Sequence, residues 1–581
     1  MTQKTTNVVA FLLLSIMFIS AFSSYLGDSL TMDELSHIPA GYSYLSQKDF
    51  RINPEHPPLI KDLAAFPLLF LNLNFPSDSD AWNKDVNSQW RYGWELLYNS
   101  GNNPEQMIFW ARLPMVFVLI LLGWFMFYWT KKEFGNKVAL LALTLFTFSP
   151  TLLAHGRLVT TDVGATFGIL LAIYFWLEFL KRPSKKNVIL AGIVFGIAML
   201  LKFSVVLIIP LFIIITFIYS LLKRENIFKY LILSALIGVI GTIFVILPVY
   251  QFHILNYPVQ RQLSDTIALL GGPPMESLKT LCIWMADKPI LRTLSHYLLG
   301  LLMATQRTAF GNTVYFMDMI SSSGWWYYFP VVYILKLPLA FHILTIITLL
   351  LGTYFTKDYF WKNTFKRLKN CIEKNFTAFT MTAFLMIYWI TSITGNLNIG
   401  VRHVLPVFPF TFILVSWILV SVLKKIEKPA FKKAGVLLTG ALLCWYIFSS
   451  LSSYPYYLSY FNELAGGTDN GYKYVVDSNY DWGQDLKRLK KWVDEKGIEK
   501  IKVDYFGGGD LNYYLGNKWE RLDSQGPPQE GWLAISATLL QGGRGYPVPG
   551  FNQSALYYKW LDDYIPVDRA GKSIFIYYIE D

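Results

Sequence analysis

The segment FSVVLIIPLFIIITFIYSLL, residues 203–222, contains no charged side chain over its whole length. A helix of about 20 apolar residues is long enough to span the hydrocarbon core of a membrane, which is about 30 Å thick. The first apolar segment, VVAFLLLSIMFISAFSSYL at 8–26, has the same character and lacks the small-residue cleavage site of a signal peptide. With 53% hydrophobic residues and a mean hydropathy of +0.35, the chain is typical of an integral membrane protein.

Similar segments recur along the chain and predict an α-helical polytopic membrane protein with about eleven transmembrane helices. They lie near 8–26, 108–130, 138–155, 162–180, 187–201, 203–222, 230–250, 325–352, 377–394, 404–423 and 434–451. If the N-terminus is cytoplasmic, every basic cluster between them falls on the cytoplasmic side, as the positive-inside rule expects. These clusters occupy 131–137, 181–186, 223–229, 357–370 and 424–433. The net charge of +11 is therefore a topology signal, and we expect no nucleic-acid partner.

The same topology places three polar regions on the extracytoplasmic side of the cell membrane: 27–107, 251–324 and 452–581. We therefore predict a membrane domain at 1–451 and a separate C-terminal domain at 452–581. The C-terminal domain combines an amphipathic helix pattern with short alternating apolar stretches, which predicts an α/β fold. The helix is WGQDLKRLKKWVDEK, and the strands are KIKVDYF, GWLAISA and SIFIYYI. Asp481 and Gln484 have the spacing of a capping box at the start of this helix.

Acidic residues follow two of the predicted spans on this outer side. Asp33 and Glu34 come just after the first span, where a partly desolvated carboxylate that still reaches water suits a general base. Capping of the next helix also explains both residues. Asp162 follows a short outer turn that holds His155 and Arg157, and capping explains Asp162 but not the two residues before it.

Cationic residues gather on the same side. Arg402 and His403 precede two prolines that bend the next helix, and backbone freed in this way must be buried or line a cavity. Lys202 and Lys336 stand in apolar surroundings, where each either joins a cavity or extends to the membrane surface. Together with Arg157, these groups would surround a carboxylate with fixed cations. Such a site suits a reaction in which a base activates a hydroxyl while a phosphate leaves.

The loop RINPEHPPLIKD, residues 51–62, places charged and polar side chains among three prolines. Proline fixes the backbone and removes hydrogen-bond donors, so the loop is built to hold a defined shape. The side chains it would hold in place include Glu55, His56 and Lys61.

Four motifs stand out on the predicted outer side: DELSHIPAGYSYL (33–45), NPEHPPLIK (53–61), HGRLVTTD (155–162) and GVRHVLPVFP (400–409). Together they resemble a known family, the polyprenyl-phosphate-dependent glycosyltransferases of the GT-C fold. The resemblance is to the bacterial branch similar to protein O-mannosyltransferases (glycosyltransferase family 39), to which the aminoarabinose transferase of lipid A is related. The C-terminal stretches FNELAGG and DSNYDWGQDLKRL resemble the extracytoplasmic domain of one subgroup of that branch.

The resemblance implies roles for individual residues. Asp33 would be the catalytic base, and Asp162 the second acidic residue of the site. Glu34 would help to seat the acceptor, and Arg402 with His403 would hold the lipid phosphate. The implied reaction transfers a monosaccharide, of hexosyl or mannosyl type, from polyprenyl phosphate to a hydroxyl of a protein, glycan or lipid, with inversion.

The 51–62 loop would then lie over the cavity, with Glu55 and His56 near the acceptor and Lys61 near the phosphate. Arg157 and Lys202 would complete the cationic group around the phosphate. The Glu-His pair also offers good ligands for zinc or manganese, so a divalent metal beside it is an alternative interpretation.

A transporter or flippase of a lipid-linked sugar is the alternative function, because it too needs cations near an outer cavity. The large outer regions, the C-terminal domain and the lack of internal sequence repeats favour the transferase. The sequence does not distinguish a protein acceptor from a glycolipid acceptor.

Overall fold

The helical membrane class predicted from the sequence is confirmed. The computed structural model describes residues 2–272, 275–361 and 364–580; residues 362 and 363 of the predicted basic loop lie outside the described residues. Within these ranges, nine helices are long and apolar enough to cross a membrane. They are Gln3–Tyr25, Pro104–Phe134, Thr161–Lys181, Phe203–Lys223, Ile227–His253, Leu339–Thr356, Phe376–Thr394, Val407–Lys425 and Pro429–Leu451.

Two of the predicted spans form shorter helices. Asn136–Thr147 has 12 residues and Lys185–Met199 has 15. At a rise of 1.5 Å per residue, these helices measure about 18 and 22 Å, less than the thickness of the hydrocarbon core. Asn136–Thr147 follows Pro104–Phe134 with only Gly135 between them, and this residue has a φ of 90°, which a side chain would disfavour. The chain therefore reverses direction at a single glycine.

The polar regions between spans also contain helices. The first region forms Met32–Gln47, Leu59–Ala65, Asp80–Asn83 and Gln89–Trp94. The second forms Val259–Leu269, Glu276–Met285 and Leu291–Phe310, followed by a hairpin of strands Val314–Phe316 and Met319–Ser321. Strand Met319–Ser321 pairs in parallel with Tyr546–Pro547, so the second polar region and the C-terminal domain share a small sheet.

The C-terminal domain is α/β, as the sequence predicted. Its five-stranded sheet has the order Trp519–Arg521, Ile501–Asp504, Gly531–Ser536, Ile574–Ile579 and Asp568–Ala570. The first three strands are parallel, and the last two pair antiparallel with their neighbours. Helix Leu486–Glu495 packs its apolar residues Leu486, Leu489 and Val493 into the core of this domain.

The predicted capping box at the start of this helix is wrong. The helix begins at Leu486, so its N-cap residue is Asp485, and neither Asp481 nor Gln484 is in position to cap it. Instead, the Gln484 side chain accepts a hydrogen bond from the backbone N–H of Trp482 (2.8 Å), and the Asp481 carboxylate accepts one from the N–H of Thr538 (2.8 Å). Both side chains stabilise the irregular segment that precedes the helix.

A buried lysine joins the helix bundle to the C-terminal domain. Lys336 is 1% exposed, and its Nζ donates hydrogen bonds to the carbonyl oxygens of Leu458 (2.9 Å), Tyr460 (2.6 Å) and Asn479 (2.7 Å). All three donors of the ammonium group are therefore used by backbone acceptors. Lys336 is a structural residue, and neither of its predicted placements, in the cavity or at the membrane surface, is correct.

We expect Lys336→Met to lower the free energy of unfolding by about 2–4 kcal/mol, because it leaves three buried carbonyl groups without a donor. Thermal unfolding of the purified protein in detergent measures this loss. Lys491→Met, at a side chain that is 75% exposed, is the matched control and should be nearly neutral. Equal unfolding temperatures for the two variants would contradict the structural role of Lys336.

Candidate active site

A cavity of about 340 Å³ lies at the end of the helix bundle that contacts the C-terminal domain. Three elements meet there: the Asp33 helix (Met32–Gln47), the 51–62 loop and the Arg402 turn (Val401–Val404). The cavity brings together six residues that the sequence predicted for the site, although they come from four distant parts of the chain. They are Asp33, Glu55, His56, Lys202, Arg402 and His403.

Asp33 and Arg402 form an ion pair in this cavity. Nη1 of Arg402 donates to Oδ2 of Asp33 at 2.5 Å. Thr31 and Glu34 form the capping box of the Asp33 helix, so Asp33 is not needed as a cap and its carboxylate is free to face the cavity. Burial alone would raise the pKa of the Asp33 carboxyl, but Arg402, His37 and Arg307 together outweigh burial and hold this pKa below its usual value. Asp33 is therefore an anion at neutral pH.

Asp162 connects the two cations of the cavity. Nζ of Lys202 donates to its Oδ1 at 2.5 Å, and Nη1 of Arg402 lies 3.6 Å from its Oδ2. Asp162 itself is 1% exposed, because it sits at the start of helix Thr161–Lys181 behind Lys202. One buried carboxylate thus fixes both cations in the same place.

The 51–62 loop presents Glu55 and His56 to the cavity. The Glu55 carboxylate accepts hydrogen bonds from the side-chain amides of Gln89 (2.5 Å) and Asn87 (3.2 Å). The His56 ring meets the His37 ring edge-on, with 5.1 Å between centroids. Burial, with smaller contributions from His37 and Lys61, holds the pKa of His56 well below its ordinary value, so the ring is neutral. A neutral imidazole can both accept and donate a hydrogen bond.

The donors around Glu55 do not fit a metal ion. Both oxygens of Glu55 already accept amide hydrogen bonds, and within the described ranges no three His, Cys, Asp or Glu side chains are grouped as metal ligands. A protein site for zinc normally has at least three such ligands. We therefore assign no step of the reaction to a metal at this loop.

Lys61 does not face the cavity, which corrects its predicted position near the phosphate. Its side chain is completely buried, and Nζ donates to the Tyr44 hydroxyl (2.7 Å), to Oδ1 and the carbonyl of Asn53 (both 2.9 Å), and to the His56 carbonyl (2.8 Å). Burial lowers its pKa to about 7, although Glu55 opposes this effect. Lys61 therefore stabilises the shape of the 51–62 loop without facing the cavity.

Glu34 and Arg157 are also placed outside the cavity, so the predicted acceptor and phosphate roles do not fit them. The Glu34 carboxylate is fully buried and accepts hydrogen bonds from Arg112 at 2.6 and 2.8 Å and from the N–H of Val159 at 3.0 Å. Arg157 is 1% exposed and pairs with Asp28 at 2.8 Å. Both residues brace the chain that leads into the Asp33 helix.

The sequence reasoning missed two residues of the site. Arg307, near the end of helix Leu291–Phe310, lines the cavity as a further cation. The only sequence signal for it was an arginine close to the end of an apolar helix pattern. Trp482 of the C-terminal domain lies against the guanidinium of Arg402, with 4.3 Å between Cζ and the ring centroid. No sequence pattern pointed to this contact, because it joins residues 80 positions apart.

These observations define an integral membrane protein with a carboxylate–cation cavity at one end of its helix bundle. Residues 104–250 match the family model of dolichyl-phosphate-mannose-protein mannosyltransferases. The match confirms the resemblance predicted from the motifs and includes Asp162 and Lys202. It supports a membrane glycosyltransferase that uses a lipid-linked donor. No curated protein matches this chain.

Among the solved structures that are similar to this chain, three have low sequence identity to it. ArnT from Cupriavidus metallidurans aligns over 98% of this chain and 97% of its own when bound to undecaprenyl phosphate, with 11% identity and a TM-score of 0.44. Its apo form gives a TM-score of 0.46 with 12% identity, over 99% of this chain and 98% of its own. The S. cerevisiae Pmt1-Pmt2 complex aligns over 44% of this chain and 34% of its own, with 18% identity and a TM-score of 0.32.

We expect Arg112→Met to lower the free energy of unfolding by about 3–5 kcal/mol, because it leaves the buried Glu34 carboxylate without its charged partner. The double variant Glu34→Leu/Arg112→Met should recover part of this loss, since no unpaired charge then remains. Thermal unfolding measures both variants. If the double variant loses the sum of the two single losses, the two side chains do not act as a pair.

Proposed function

We propose that this protein transfers a monosaccharide from a polyprenyl-phosphate donor to an acceptor hydroxyl, with inversion, at the cavity that holds Asp33 and Arg402. The observation that carries the proposal is the ion pair between these two residues, with Lys202 fixed beside it by Asp162. A base and two cations in one cavity match what the transfer needs: proton removal from the acceptor and charge stabilisation on the leaving phosphate.

Donor binding would change the partner of Arg402. The phosphodiester of the donor carries a negative charge and competes with Asp33 for the guanidinium. When the phosphate takes this place, the Asp33 carboxylate loses its cation and becomes a stronger base. The ion pair would therefore hold Asp33 in position and keep its basicity low until a donor binds.

The chemical step then follows from the positions of the groups. The acceptor oxygen attacks the anomeric carbon while the bond from that carbon to the phosphate oxygen breaks. The electron pair of the broken bond goes to the phosphate, and the acceptor proton goes to Asp33. The leaving polyprenyl phosphate gains one negative charge, which Arg402, Lys202 and the nearby Arg307 would stabilise.

The lining of the cavity suits both a lipid and an acceptor that carries a hydroxyl. Its apolar wall would contact the first isoprene units of the donor, and it includes Val206, Leu207, Leu301, Phe329 and Leu397. Glu55 and His56 lie in the same cavity as Asp33. An acceptor hydroxyl between them would find a hydrogen-bond acceptor and a neutral imidazole.

We further propose that the cavity faces the extracytoplasmic side of the cell membrane and that the sugar is a hexose of mannosyl type. The basic loops between spans support this orientation, because they would then lie in the cytoplasm. The acceptor would be a protein or a glycolipid that reaches the cavity from the same side as the C-terminal domain.

We predict that Asp33→Asn lowers transfer by a factor of about 1,000 or more while donor binding is kept or becomes tighter. The rate falls because asparagine cannot take the proton, and binding does not weaken because the neutral amide competes less with the phosphate for Arg402. Transfer of radiolabelled sugar and equilibrium donor binding by purified protein measure the two effects. Asp78→Asn, at an exposed site, is the control. Transfer equal to that of the wild type would remove Asp33 from the mechanism.

We also predict that Arg402→Gln moves the acid limb of the pH profile of kcat/KM to higher pH. The positive charge of Arg402 lowers the pKa of Asp33 in the free enzyme, and without it burial raises this pKa. Because the base works only when deprotonated, activity would then be lost at a higher pH as the solution is acidified. Arg402→Lys keeps the charge and should shift the limb less. An unchanged limb in Arg402→Gln would show that Asp33 is not the titrating base.

A further inference from the structure

The segment DSNYDWGQDL, residues 477–486, belongs to the C-terminal domain but contacts both elements that carry the ion pair. We call it the bridging segment. Trp482, at its centre, is 1% exposed, and the segment as a whole lies between the Arg402 turn and the chain that enters the Asp33 helix.

On one side, the bridging segment binds the backbone of the Arg402 turn. The N–H of Val401 donates to Oδ1 of Asn479 at 2.8 Å, and the hydroxyl of Ser478 donates to the carbonyl of Ile399 at 2.7 Å. A Cβ atom at Gly400 would lie 2.2 Å from the Ser478 Oγ, so a side chain there would displace this hydroxyl from its hydrogen bond to Ile399. The position of the turn is therefore set by the C-terminal domain.

On the other side, the bridging segment binds the chain that enters the Asp33 helix. The N–H of Met32 donates to the carbonyl of Trp482 at 3.0 Å, and the N–H of Ser29 donates to the carbonyl of Gln484 at 3.0 Å. The Ser29 hydroxyl in turn accepts from the N–H of Leu486 at 3.0 Å. The start of the Asp33 helix and the Arg402 turn are thus held at a fixed separation by one short piece of chain.

Trp482 adds a contact to the guanidinium itself. Its ring centroid lies 4.3 Å from Cζ of Arg402, within the range of a cation–π interaction. Among the described residues, Nε of Arg402 has no hydrogen-bond partner. The guanidinium is therefore oriented by the carboxylates of Asp33 and Asp162 and by the face of this ring. If a donor phosphate displaces Asp33, the ring contact stays in place.

We propose that the C-terminal domain forms part of the active site and that Trp482 is a positioning residue, which keeps Arg402 directed at the donor phosphate. This inference rests on the proposed function and deepens it. Cζ of the guanidinium lies over the ring, 4.3 Å from its centroid, while Nη1 donates to Asp33. Trp482 would thus orient the cation without competing with the phosphate for hydrogen bonds.

The test compares Trp482→Leu with Trp482→Phe in the full-length protein. Both variants remove volume from the same buried place, but only phenylalanine keeps an aromatic face. With undecaprenyl phosphate as the probe in detergent micelles, we expect Trp482→Leu to weaken binding about tenfold and Trp482→Phe about twofold. Equal affinities of the two variants would overturn the inference, because loss of packing alone affects both.

A second measurement separates this inference from the proposed function. If the wild type binds no undecaprenyl phosphate, the proposed function is wrong, and the inference is then judged by thermal unfolding of Trp482→Leu, Arg402→Gln and the double variant without ligand. A double-variant loss smaller than the sum of the single losses supports the contact. Strictly additive losses would show that Trp482 does not hold Arg402, whatever the ligand.

Discussion

The ion pair of Asp33 with Arg402 is the interaction on which the site depends, because it joins two elements that are 369 positions apart in the chain. Charged groups are costly to bury at the edge of a membrane, so they persist there only with partners. Three largely buried cations near this pair also have carboxylate partners: Lys202 has Asp162, Arg112 has Glu34, and Arg157 has Asp28. Asp33, the partner of Arg402, differs from the other three carboxylates because it lines the cavity itself.

The residues around the cavity divide into those that face it and those that hold the facing residues in place. The hydrogen bonds of Lys61 stabilise the shape of the 51–62 loop. Those of Lys336 attach the C-terminal domain to the helix bundle. The three prolines and the glutamate–histidine pair of this loop therefore have a joint explanation. Proline and Lys61 fix the backbone, and this backbone presents Glu55 and His56 to the cavity.

The sequence was sufficient for the membrane class, the α/β C-terminal domain and six residues that meet in the cavity, because hydropathy, strand alternation and charges beside prolines are local signals. It failed for Glu34, Lys61 and Arg157, since a buried charge with a structural partner has the same local pattern as a functional one. The contact of Trp482 with Arg402 could not be predicted from the sequence either. It depends on how two distant segments pack, and no periodicity along the chain records that arrangement.

The most direct test of this account is the anomeric configuration of the product. Purified protein is given a panel of polyprenyl-phosphate monosaccharides with acceptor extracts, and the linkage in the product is determined by nuclear magnetic resonance. A single attack in line with the leaving phosphate, assisted by Asp33 as the base, predicts a product whose anomeric configuration is inverted relative to the donor. Retention of configuration, or movement of intact donor across vesicle membranes without sugar transfer, would contradict the account.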